Sequence, residues 1–171
     1  MIVTFKTEMI HKNIFILLGS NSGDRSGELR MAIDFIKKEI GKIIAQSKIY
    51  ETAPWGKVDQ PHFLNQALKI ESSFSPDELL DNLQSIEQAL GRTRVEKWGE
   101  RSMDIDILYY GDKIIDSSTL VIPHLHLAER KFVLVPLTEI SPEFLHPILQ
   151  KSNAELLKGC NDTLDVKEFI G

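Results

Sequence analysis

Cysteine is almost missing from this chain, with one, Cys160, in 171 residues. A single thiol closes no internal disulfide and offers no metal-binding spacing, so a reducing compartment is expected, the cytoplasm. Long apolar runs are lacking as well. The longest near the start, Ile14-Phe15-Ile16-Leu17-Leu18, is five residues, too short for the core of a signal peptide or a membrane span. Nor is there an excess of positive charge: 20 Lys and Arg stand against 25 Asp and Glu, a formal net charge of −5. Phosphate backbones reward a basic surface, so a general nucleic-acid binder is disfavoured and any basic function must be local. Internal repeats, low-complexity tracts and linkers are absent too. One domain is therefore expected over residues 13–171, long enough to bury a proper core. Residues 1–12 carry no clear pattern and read as an N-terminal extension, with Met9 an alternative start. What remains is ordinary for a soluble globular protein, 42% hydrophobic and 26% charged.

The ordered patterns begin at Ile14–Leu18, a central strand apolar on both faces. Gly19-Ser20-Asn21-Ser22-Gly23-Asp24 is a turn, and its first glycine points to close backbone approach. Ser26 is the expected cap of a helix running to about Ile40, with Leu29, Ala32, Ile33, Ile36 and Ile40 inward. Ile43–Thr52 alternates as a second strand. A loop over 53–61 carries Trp55, and Phe63–Ile70 is a third strand with Phe63, Asn65 and Ala67 on one face. Phe63 suits a core position there, but a buried amide such as Asn65 needs partners. Ser75-Pro76-Asp77-Glu78 is a capping box with proline at the first helical position. The helix it starts ends at Gly91, with Gln84 and Glu87 one turn apart on its flank, a place that also suits solvated surface. Later come a turn at Gly111-Asp112, a short strand ending at Pro123-His124, and a helix from about Glu129 in which Pro136 bends or shortens the chain. His124 after a proline at a strand end is a candidate phosphate or ribose contact, or a structural histidine. Leu145–Gly171 reads as a closing helix and a tail. The order βαββαβ predicts a ferredoxin-like α+β sandwich, an antiparallel sheet packed with helices.

The most informative stretch runs from Arg92 to Tyr110. Its second half is an alternating strand with Ile105, Ile107 and Tyr109 on one face and Asp104, Asp106 and Leu108 on the other. Two residues along a strand span about 6.6 Å, so the two carboxylates can converge on one point. A divalent cation would offset their desolvation, and paired hard oxygens without Cys or His suit Mg²⁺ better than Zn²⁺. The same Asp-x-Asp also fits a turn at the head of a strand, capping backbone N–H groups. Arg92, Arg94, Lys97 and Arg101 lie just upstream, as a polyphosphate carrying its own metal requires. The polar and basic segment 92–103 is expected to be mobile until a charged ligand orders it.

Lys97-Trp98-Gly99-Glu100-Arg101-Ser102-Met103-Asp104-Ile105-Asp106-Ile107-Leu108 resembles the signature of the 6-hydroxymethyl-7,8-dihydropterin pyrophosphokinase family of folate biosynthesis. Gly19-Ser20-Asn21 matches the family's opening, and further matches extend from Ile14 to about Pro142. The resemblance implies the ferredoxin-like fold and the transfer of pyrophosphate from ATP to the hydroxymethyl group of the pterin, releasing AMP. It implies two Mg²⁺ on Asp104 and Asp106, with Arg92, Arg94 and Arg101 catalytic beside them. ATP would meet Gln84, Glu87, Arg92, Trp98, Arg101, His124 and Arg130. The pterin would meet Thr52, Pro54, Trp55, Phe63, Asn65 and Phe132. Two positions depart from the family: Phe63, where tyrosine is common, and Leu125, where an aromatic is common. The expected partners are ATP and the pterin, without nucleic acid or membrane, and the chain is expected to act as a monomer. Two rival classes share the carboxylate strand, a ferredoxin-like binding module with a structural metal and a two-metal phosphodiesterase or nuclease. Pterin-dependent formation of AMP separates the first reading from both.

Overall fold

A computed structural model describes residues 9–54, 60–91 and 102–171. The chain runs β1 (His11–Ser20), α1 (Arg25–Phe35, continued by a wider helical turn over Ile36–Ile40), β2 (Gly41–Gln46), β3 (Tyr50–Thr52) and β4 (Phe63–Ser72). It goes on through α2 (Pro76–Ala89), β5 (Asp104–Tyr110), β6 (Ile115–Asp116), β7 (Val121–Ile122), α3 (Lys131–Ile140), α4 (Asn153–Gly159) and β8 (Val166–Glu168). The main sheet has the order β5-β1-β4-β3-β8, with β2 also paired to β4. Every pairing in it is antiparallel. This is the ferredoxin-like arrangement expected from the element order, its second strand divided in two.

The division follows from one side chain. Alternation alone predicts one strand over 43–52, but Ser47 folds into the ladder. Its N–H donates to the Ala67 carbonyl at 2.9 Å and its Oγ accepts the Ala67 N–H at 3.0 Å. A hydroxyl competing for backbone partners breaks the strand there. Helix α1 also starts earlier than Ser26 would have it: Asp24 caps it, Oδ1 accepting the Gly27 N–H at 2.9 Å. That bond first, and the Ser26 hydroxyl second, hold the Asp24 carboxyl below its ordinary range. The capping box at Ser75 and Glu78 is present as read, and α3 continues through Pro136.

Alternating residues of β1 fill two separate cores. Ile14, Ile16 and Leu18 pack against α1 and α2 through Leu29, Ile36, Leu79 and Leu83. Phe15 and Leu17 pack against α3 and α4 through Val133, Leu134, Leu137 and Leu156. A strand buried on both faces must be apolar throughout, and each such side chain contributes about 1.5–3 kcal/mol when fully buried. The expected facing of β5 holds only in part. Ile105 and Ile107 join the first core, but Tyr109 joins the second and Tyr110 the first. The register against β1 shifts between Phe15 and Ile16, which are opposite Tyr109 and Ile107, leaving Leu108 as an extra residue. Such a bulge reverses the facing of everything after it.

The C-terminal segment also departs from expectation. Only Asn153–Gly159 is helical in it, and what reads as a tail becomes β8, paired to β3. Among the described residues no helix is long and apolar enough to cross a membrane.

Candidate active site

The candidate residues meet where three strands end side by side. β1 lies between β4 and β5, so Gly19 has Asn65 opposite it on one side and Asp104 on the other. Asn65 shares a face of β4 with Phe63 and Ala67. Asp106, opposite Leu17, shares a face of β5 with Asp104. Both sets point to the side of the sheet covered by α3, since Ala67 and Leu17 belong to that core. Gly19 is the low point of the row. A Cβ placed there would lie 3.3 Å from Asn65 Oδ1 and 4.0 Å from Asp104 Cβ. Its missing side chain leaves a floor joining the amide to the carboxylate.

On the amide side, Asn65 is 3% exposed, and its Nδ2 donates to Thr52 Oγ1 at 3.0 Å. That bond fixes the orientation of the amide and turns Oδ1 towards Gly19. Pro54 is buried, and Phe63, paired with Thr52, is half-buried. Phe132 at the start of α3 packs on the core of the same sheet face, with the Arg130 guanidinium carbon 5.8 Å from its ring centroid. Thr52, Phe63 and Asn65 therefore share one face of the sheet, on which Phe132 also packs. Trp55 lies outside the described residues.

On the carboxylate side, Asp104 and Asp106 are half-buried at the head of β5. Among the described residues no three His, Cys, Asp or Glu side chains cluster around a potential metal position. Two carboxylates alone are a poor cage for Ca²⁺ or Zn²⁺. They suit Mg²⁺, which keeps waters and takes its other oxygens from substrate phosphates. Arg130 reaches this end of the site. Burial lowers its guanidinium below the ordinary value, and Asp106, Glu129, Asp104 and Asp162 pull it back in that order. A buried arginine held within the field of both aspartates is suited to meet an anion bound between them.

His124 completes this end. Its N–H donates to the Leu108 carbonyl at 3.0 Å, and its Nδ1 accepts the His126 N–H at 3.3 Å. Burial, then the charges of Arg130 and His126, push the imidazole down to about 4, with Asp104 pulling the other way. The ring is thus neutral near pH 7, and Nδ1 as acceptor leaves its proton on Nε2. His126 instead makes a contact of 3.1 Å with Glu129 Oε2.

Glu87 differs from the flank position read for it. It is 3% exposed, and its Oε1 accepts the Ile105 N–H at 2.7 Å. Its carboxylate anchors the strand between the two aspartates, because the turn of α2 carrying Leu83 and Ile86 faces β5. Nothing in the spacing of Gln84 and Glu87 distinguishes that role from surface; Gln84 itself is half-buried. Arg92, Arg94, Trp98 and Arg101 lie outside the described residues.

Comparison with known proteins bears on this arrangement. The family model described as 7,8-dihydro-6-hydroxymethylpterin-pyrophosphokinase (HPPK) matches residues 15–142. A 2-amino-4-hydroxy-6-hydroxymethyldihydropteridine pyrophosphokinase of Bacillus subtilis is 46% identical over 127 residues, 74% of this chain and 76% of that protein. One from Haemophilus influenzae is 42% identical over 134 residues, 78% of this chain and 84% of that protein. The folic acid synthesis protein fol1 of Pneumocystis carinii is 43% identical over 157 residues, 92% of this chain but 21% of that protein. The chain thus spans about a fifth of that longer relative. A crystal structure of Plasmodium falciparum HPPK-DHPS with pteroate matches the fold with a TM-score of 0.72 at 17% identity, covering 90% of this chain and 44% of that one. With a family model matched over most of its length and relatives above 40% identity, the chain belongs to the 7,8-dihydro-6-hydroxymethylpterin pyrophosphokinase family, the pyrophosphoryl-transferring enzymes of folate biosynthesis.

Proposed function

We propose that this chain, as one domain over residues 13–171, carries its family's reaction on the floor between Asn65 and Asp104. Pyrophosphate passes from ATP to the hydroxymethyl group of 6-hydroxymethyl-7,8-dihydropterin, giving the pterin diphosphate and AMP. The observation that carries this reading is the row Asn65–Gly19–Asp104 across three neighbouring strands. An oriented amide suited to a heterocycle and a carboxylate pair suited to a metal polyphosphate share one surface, with no side chain between them.

The roles follow from the chemistry of each group. Asn65 hydrogen-bonds the pterin edge, and Phe63 and Phe132 flank its plane, with Thr52 and Pro54 behind and Trp55 closing the pocket. Asp104 and Asp106 would hold two Mg²⁺, which supply charge neutralisation and orientation for the triphosphate. Arg130 balances charge on the transferred group, joined by Arg92, Arg94 and Arg101. His124 offers Nε2–H to a phosphate or ribose oxygen as a neutral donor, with no proton to gain near pH 7. Gln84 and Trp98 contact the nucleotide, and Glu87 acts by holding β5. No protein nucleophile is required, because phosphoryl-type transfer proceeds by positioning and electrostatics. The free thiol of Cys160 fits a reducing cytoplasm, and a monomer is proposed there.

The test is to incubate the purified protein with ATP, Mg²⁺ and the pterin alcohol and to identify the nucleotide product. AMP formed only when the pterin is present supports the reading; ADP, or no product, overturns it. Asp104→Ala and Asp106→Ala should stay folded and lose nearly all turnover. If either retains more than about a tenth of the rate, a loss below ~1.4 kcal/mol, the metal role is wrong.

A further inference from the structure

One guanidinium gathers three segments that lie far apart in the chain. Arg25, the first residue of α1, donates through Nη1 to Glu51 Oε1 on β3 at 2.7 Å. The same nitrogen donates to the His62 carbonyl, just ahead of β4, at 2.7 Å. Its Cζ lies 5.8 Å from the ring centroid of Phe169, the residue after β8. Glu51 sits between Tyr50 and Thr52, and Thr52 carries the hydroxyl that fixes the Asn65 amide. His62 precedes Phe63. Arg25 therefore joins the two stretches that bear Thr52 and Pro54 on one side and Phe63 and Asn65 on the other.

β3 has reason to need such a brace. It is three residues long, and its ladder to β4 has three pairs. A ladder so short holds its register weakly on its own. The C-terminal strand braces its other edge, where the Phe169 N–H donates to the Ile49 carbonyl at 2.8 Å and Lys48 Nζ reaches Glu168 Oε2 at 2.8 Å. Glu51 is opposite Leu64, which belongs to the core under α1 and α2. Arg25 thus acts from the face of the sheet opposite the Asn65 side chain. The carboxylate end, with Asp104, Asp106, Arg130 and His124, lies across β1 and shares none of these contacts.

We infer that Arg25 is a positioning residue for the pterin end of the site. It sets the distance between β3 and the start of β4, and so keeps the Thr52–Asn65 hydrogen bond and Pro54 in place. This rests on the pterin assignment proposed above. Arginine suits the task because a planar cation can serve two oxygens while its flat face covers an aromatic ring. A lysine would keep the charge on a compact ammonium and lose the flat face.

Steady-state kinetics separate this role from simple stabilisation. Arg25→Gln should raise the KM for the pterin about tenfold, leaving the KM for ATP and the saturated rate within about twofold. Glu51→Gln should raise it in the same direction but by less, because Arg25 keeps its bond to the His62 carbonyl, and the double variant should be no worse than Arg25→Gln, which already lacks the Arg25–Glu51 pair. Arg25→Lys should fall between Arg25→Gln and the wild type. If Arg25→Gln does not fold, the nearly isosteric Glu51→Gln carries the test alone. An unchanged pterin KM, or equal rises for pterin and ATP in folded protein, overturns the inference. A wild-type protein that makes no AMP from ATP and the pterin overturns the functional reading itself, and this inference with it.

Discussion

Replacing Gly19 by alanine adds one methyl group at the point where both halves of the site meet. The backbone there is outside the left-handed region, so alanine brings no conformational strain. It should even stabilise the fold by about 0.4–1 kcal/mol, because the unfolded chain loses freedom. Against this stands the contact of 3.3 Å between the new Cβ and Asn65 Oδ1. Asn65 is buried and tied to Thr52, so it can yield only by stretching that bond. Overpacking by one carbon costs about 1–3 kcal/mol, and a clash of a few tenths of an ångström belongs at the low end. The two effects nearly cancel, leaving stability within about 1 kcal/mol of the wild type. Activity has no such compensation. The methyl group fills the floor and displaces the amide, and a misplacement of about 1 Å can cost 10²-fold in rate. A loss of at least tenfold in kcat/KM for the pterin is expected, about 1.4 kcal/mol of transition-state stabilisation. Urea melts and pterin-dependent AMP formation, measured on the same preparation, give both numbers. A folded Gly19→Ala protein with kcat/KM within twofold of wild type would refute the shared floor.

Three other outcomes are expected. Glu87→Ala should destabilise the protein by about 1–3 kcal/mol, since it removes the acceptor of the buried Ile105 N–H, and it should slow turnover by loosening the aspartate strand; denaturant melts showing no loss of stability would mean that β5 is held without it. His124 titrates at about 4 when folded against an ordinary 6.5, so the unfolded chain binds its proton first as the pH falls. Its contribution is complete above pH 6.5 and is lost on the way down to about 4, at most about 3 kcal/mol. His124→Gln should therefore flatten the fall in urea midpoint between pH 7 and 4, and equal slopes in the two proteins would sink the assignment. Phe132→Ala should weaken pterin binding severalfold, as loss of an offset ring contact of about 0.5–1.5 kcal/mol requires, with little effect on ATP; equal losses for both ligands would point to a general packing defect.

Residue pattern by itself determined the βαββαβ order, the two-faced apolar β1, the capping box at Ser75 and the paired facing of Asp104 and Asp106. All of these rest on local periodicity or on short-range hydrogen bonds, which are written in neighbouring residues. The signature around Arg101–Asp106 likewise pointed to the family without any coordinates. Contacts between distant segments decided the rest. The bulge at Leu108 arises from the register of β5 on β1 and sends Tyr109 to the face opposite Ile107. The break at Ser47 depends on a hydroxyl reaching Ala67, twenty residues away. β8 has too short and polar a sequence to signal a strand, and becomes one because β3 offers it a free edge. Glu87 reads as helix surface until α2 packs on β5 and buries it. Gly19 could be marked in the sequence as a place of close approach. That the neighbours it admits are Asn65 and Asp104 follows only from the order in which the sheet sets β4, β1 and β5 side by side.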